Sequence, residues 1–110
     1  MKIDVLGAEY TLTVCQGSKE PRLKDCDGFC DETAKELLVE NYEDSKGEPN
    51  CKQNLLIQTN KVKRHEIIHA FLFESGLAEN SSWAQNEEMV DFFAIQFSKL
   101  LKAFEQADAL

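Results

Sequence analysis

The apolar positions of the chain change period near its midpoint. Over residues 2–15, Ile3 and Val5 alternate with polar neighbours, Gly7 marks a turn, and Tyr10, Leu12 and Val14 alternate again. A period of two with a central glycine predicts a β-hairpin. Residues 16–33 are polar and turn-rich and read as loop with at most a short helical turn. Residues 35–40, Lys-Glu-Leu-Leu-Val-Glu, suit a third strand, and 41–49 read as a charged surface loop with Gly47 and Pro49. From residue 50 the period lengthens, and a helix is expected to about residue 74, stopped by Gly76. Ser82 with Gln85 three residues on resembles a capping box and opens a second helix to about residue 106. Its expected core stripe is Val90, Phe93, Phe97, Leu100, Leu101 and Phe104. Phe92 and Ile95 lie outside that stripe and suit either core or an interface.

These elements describe a small α+β domain: a three-stranded antiparallel or mixed sheet packed on two long helices. At 110 residues the chain reads as a single domain, residues 1–110, with one modest core. A formal net charge of −8 argues against nucleic acid as a partner, because phosphate binding needs clustered cations. Lys61, Lys63 and Arg64 form the one basic cluster and read as a solvated helix face. With no apolar run of roughly 20 residues and no signal-like segment at residues 1–14, the expectation is a cytoplasmic protein without a membrane partner. Cys15, Cys26, Cys30 and Cys51 are then expected as free thiols. Cys26 and Cys30, with three residues between them, are spaced more loosely than the usual two-residue zinc knuckle, and a second, all-cysteine structural zinc site is the minor alternative for these thiols.

The chemistry concentrates in His65-Glu66-Ile67-Ile68-His69, which holds both histidines of the chain. Residues four apart on a helix share a face, so the two imidazoles can reach one metal ion. Glu66 sits on the adjoining turn, placed to handle the proton of a metal-activated water. Apolar neighbours, from Ile67 to Phe73, predict a buried helix, and two buried imidazoles beside a carboxylate are costly without compensation. Zinc is the expected metal. Its third ligand is not a histidine, since none remains, which leaves a carboxylate or a thiolate. Leu72 and Ser75 stand where a metzincin would carry its glycine and third histidine. In Asn86-Glu87-Glu88-Met89-Val90-Asp91, helical phase puts Glu87 at the border of the Val90 stripe and points Glu88 away from it. Asp91, one turn on, is placed to accept a hydrogen bond from a ligand histidine.

With these two segments the chain resembles the gluzincin metallopeptidases, whose His-Glu-x-x-His is followed on a later helix by Asn-Glu-x-x-x-Asp. The short link between the helices and the run Asp91-Phe92-Phe93-Ala94 are similar to the minimal branch, which includes ImmA/IrrE-type and small phage-encoded peptidases. The resemblance covers Arg64 to Phe97. It implies Zn2+ held by His65, His69 and Glu87, Glu66 as general base, Asp91 supporting a ligand histidine, and a peptide or protein substrate such as a regulator in a phage or mobile-element setting. There are departures. A further substrate-recognition region usual in ImmA/IrrE-type chains is missing, and no spare histidine serves the oxyanion. Among Tyr10, Tyr42, Arg22 and Arg64, Tyr42 is preferred for that role, because it follows strand 35–40. That strand is expected to be an edge strand at the rim of the cleft, where an extended peptide would pair. The alternative is a catalytically weak or inactive zinc-binding interaction module, its site closed by a fourth protein ligand such as Cys30 or Cys51.

Overall fold

A computed structural model describes residues 1–110. The chain folds into an α+β domain in the order β1 (Lys2–Val5), β2 (Ala8–Cys15), β3 (Gly28–Asp31), β4 (Glu36–Glu40), α1 (Leu55–Glu74), α2 (Leu77–Asn80) and α3 (Glu87–Gln106). The sheet has four strands rather than three, in the order β1-β2-β4-β3. The hairpin forms as expected, with Val5 opposite Ala8 in antiparallel register. β4 pairs parallel to β2, Leu12 beside Leu37, and antiparallel to β3, Phe29 beside Leu38.

This topology corrects the expected rim of the cleft. Strand 35–40 is an interior strand, and β3, from a stretch read as loop, is an edge strand, as is β1 at the other side. β4 explains itself by composition: Leu37, Leu38 and Val39 are all buried, as a strand covered on both faces requires.

The core joins the sheet to one stripe of α1. Val5, Tyr10, Leu12, Leu37 and Val39 meet Val62 and Ala70, with Cys30 and Ile67 packed alongside. Helix α1 starts five residues later than expected, because the Asn54 side chain accepts from the Ile57 N–H and caps it. It stops where expected: Gly76 takes the left-handed conformation at φ 83°, and its N–H bonds back to Phe73. The expected capping box does not form. Ser82–Gln85 is a 3-10 turn, and Asn86 caps α3 by accepting from the Met89 N–H at 2.8 Å.

Helix α3 crosses α1 only through its first half. Val90 and Ala94 are its buried residues, while Phe93, Phe97, Leu101 and Phe104 of the expected core stripe are exposed. Likewise α1 is buried on one stripe only, and Phe71 is open on its far side. At their crossing, the Arg64 Nε–H donates to the Ala94 carbonyl at 2.6 Å, fixing one helix on the other. No helix is long and apolar enough to cross a membrane.

Candidate metal centre

The site forms where α1 passes between the sheet and the start of α3. The 3.6-residue period aims Val62, Glu66 and Ala70 at the sheet, and sends His65 and His69 toward α3. Ligand atoms of His65, Glu66 and His69 all lie within 4.8 Å of one another, and this group is able to hold a metal ion.

Glu87 opens α3 and reaches the same point. Its Oε2 lies 3.0 Å from His65 Nε2 and 3.3 Å from His69 Nε2, and its Oε1 lies 3.1 Å from His69 Nε2. The two Nε2 atoms are themselves 3.1 Å apart. A tetrahedral ion with bonds of about 2.0–2.1 Å has ligands roughly 3.3 Å apart, close to the spacing found here. Both Nε2 atoms and Glu87 Oε2 therefore lie at a spacing that such an ion would accept. Behind them, the His65 Nδ1 faces Asp91 Oδ1 at 2.8 Å, an arrangement that fixes the ring and directs Nε2 at the centre. The structure brings His65, Glu66, His69, Glu87 and Asp91 to one cavity of about 350 Å³.

Glu66 differs from the others in being buried. Its Oε2 is enclosed and no protein donor reaches it. Burial pushes its carboxyl up to about 7, with Glu87 adding to the rise and His65 opposing it. An enclosed carboxylate oxygen without a partner is destabilising, so its retention beside two histidines fits a polar group or ion in the adjoining cavity. Gly28 makes this placement feasible. A Cβ at that position would come within 2.8 Å of both Glu66 Cγ and Val62 Cγ1, so only glycine lets β3 lie this close to α1.

Tyr42 stands elsewhere. It lines an adjoining cavity with Cys51, and its hydroxyl donates to Asp27 Oδ2 at 3.0 Å. Arg22 is held by Glu20 and Glu36, and Tyr10 donates to Glu74. Reasoning from sequence missed Cys26, Asp27, Gln58 and Lys61, which line the cavity around the histidines. Gln58 and Lys61 had a signal: they lie seven and four residues before His65, on its face of α1. Cys26 and Asp27 had none, because they lie in the loop that leads into β3. All four cysteines are free thiols, and Cys30 packs against the core.

No family model matches the chain, and neither a curated protein nor a solved structure matches it.

Proposed function

We propose that this chain is a zinc-dependent peptidase, with His65, His69 and Glu87 as ligands and Glu66 as general base. The observation that carries this reading is the convergence of both Nε2 atoms and the Glu87 carboxylate at 3.0–3.1 Å, beside a buried carboxylate with an unpartnered oxygen. Two imidazoles and one carboxylate are a donor set suited to zinc. Zinc, if bound there, would supply a Lewis acid and a water of lowered pKa.

The chain's own residues do the rest. Glu66, buried beside the two histidines, would take the proton of the attacking water and hand it to the departing amine. Asp91 holds His65 through Nδ1, so its ligating nitrogen keeps its direction as charge develops. β3 has one unpaired edge, and Gly28 at its start borders the cavity. An extended peptide adding to that edge would lie across Glu66. Lys61, the lysine lining this acid-rich cavity, would offset negative charge on the reacting carbonyl.

The test uses zinc-loaded protein and fluorescein-labelled casein, comparing the parent with Glu66→Gln. The variant should keep its zinc and lose turnover by about 10²–10⁴-fold. Equal cleavage by both would refute the role of Glu66.

One observation favours a second reading. Cys26 lines the same cavity, and its thiol as a fourth ligand would close the site into a structural one. In that case Cys26→Ser weakens zinc binding; in the peptidase reading it does not.

A further inference from the structure

The second half of α3 carries an apolar face that nothing in its own fold covers. Val90, Phe93, Phe97, Leu100 and Phe104 follow one another at spacings of three and four, the repeat of a helix-pairing seam. Only Val90 of these is buried, against α1. Beyond Leu100 every residue from 101 to 110 is exposed. The radius of gyration, 15.0 Å against roughly 13 Å for a compact chain near this length, reflects that exposed end. Beside the seam, Ile67, Ile68, Phe71 and Phe97 wall an apolar cavity of about 340 Å³.

We infer that this face pairs with a second copy of the chain, α3 against α3 in antiparallel order, forming a two-fold dimer. Three observations select this occupant. The first is area. Phe71, Phe93, Phe97, Leu101 and Phe104 are each between 36% and 49% exposed. At about 200 Å² per large side chain they present roughly 400 Å² of apolar surface. A stable interface covers about 800 Å² per partner, of which roughly 450–500 Å² is apolar, so half-buried Leu100 and the seam's margins complete what is needed.

The second is charge. Positions flanking such a seam set partner choice through their charges. Here they are Gln96 and Ala103 on one side and Ala94 and Leu101 on the other. With no charge at these flanks, two copies meet without repulsion despite the net −8 of each chain. Lys99 and Lys102 lie on the opposite side of the helix.

The third is register. With the two-fold axis at the level between Ser98 and Lys99, Phe104 of the second copy falls beside Phe93, and Leu100 beside Phe97 at the mouth of the apolar cavity. Two-fold symmetry then fills both cavities at once, as a self-complementary contact requires. This face lies away from the histidines, and the inference does not depend on the peptidase reading.

Sedimentation velocity on the full chain tests it, at concentrations up to about 100 µM, above the micromolar range of weak interfaces. The parent should sediment at twice the 12.5 kDa chain mass. Phe104→Asp and Leu101→Glu, both at exposed positions, should give single chains with unchanged circular dichroism. Ser98→Asp, outside the seam, should remain dimeric. A parent that stays monomeric, or a dimer that survives Phe104→Asp, overturns the inference. A monomeric parent that floats with phosphatidylcholine vesicles also overturns it, and assigns the face to a lipid surface.

Discussion

Gly28 on β3 and Glu66 on α1 are packed so closely that a Cβ on Gly28 would stand 2.8 Å from Glu66 Cγ. The absence of one side chain thus sets the position of another, and with it the distance between the open sheet edge and the candidate general base. Gly28→Ala should push α1 from the sheet or turn the Glu66 side chain. Overpacking of this kind costs about 1–3 kcal/mol. The expected outcome is a lower urea midpoint, with a larger loss of casein cleavage than of zinc affinity, because His65 and His69 face the other way. Unchanged stability and cleavage would mean that β3 yields freely.

Asp91 makes a second, graded prediction. In the proposed site, its contact with His65 Nδ1 at 2.8 Å would orient a ligand without touching the metal. Asp91→Asn keeps shape and removes charge. Zinc affinity should fall about 10–100-fold, the usual effect of losing such a partner, as read by competition with a chromogenic chelator. Helix content should be unchanged.

Several features were legible because they lie on one helix. The spacing of His65, Glu66 and His69 needs only the helical period to be read, and phase alone favours Glu87 over Glu88. The structure places the Glu87 carboxylate against both histidines. Strand β3 was not legible. Gly28-Phe29-Cys30-Asp31 is four residues within a polar stretch, each half-buried, so no alternation marks it. Missing β3 made β4 look like an edge. The apolar stripe of α3 was legible as a stripe, but a stripe does not say what covers it. Here only Val90 and Ala94 find cover in the same chain.

The helix crossing depends on Arg64. Its Nε–H bond to the Ala94 carbonyl, at 2.6 Å, is a charge-assisted bond made in the half-buried contact between α1 and α3. Arg64→Met keeps the apolar stem and removes the donor, and should cost about 1.5–3 kcal/mol in urea unfolding. Arg64→Lys should not recover it, since a lysine carries no donor at that branch point.

At the far end of α1, Glu74 accepts from Lys35 and from the buried Tyr10 hydroxyl. Lys35 first, then Tyr10, hold its carboxyl below the ordinary 4.5. Its contribution to stability is therefore complete above that value and is lost as pH falls through the lower folded-state pKa. Tyr10 is shifted the other way, by burial and then by Glu74, so its contribution holds below the ordinary 10.0 and fades as pH rises beyond it. Urea midpoints should fall more steeply on the acid side in the parent than in Glu74→Gln. Parallel acid limbs would contradict the contact.

The central claim is that His65, His69 and Glu87 hold one zinc ion. The most direct measurement is zinc per chain by elemental analysis of protein purified without added metal, for the parent, His65→Ala and Glu87→Ala. The account predicts one zinc in the parent, and its loss or marked weakening in both variants. A parent that takes up no zinc even when supplied with it, or a Glu87→Ala variant that holds zinc as tightly as the parent, would contradict it.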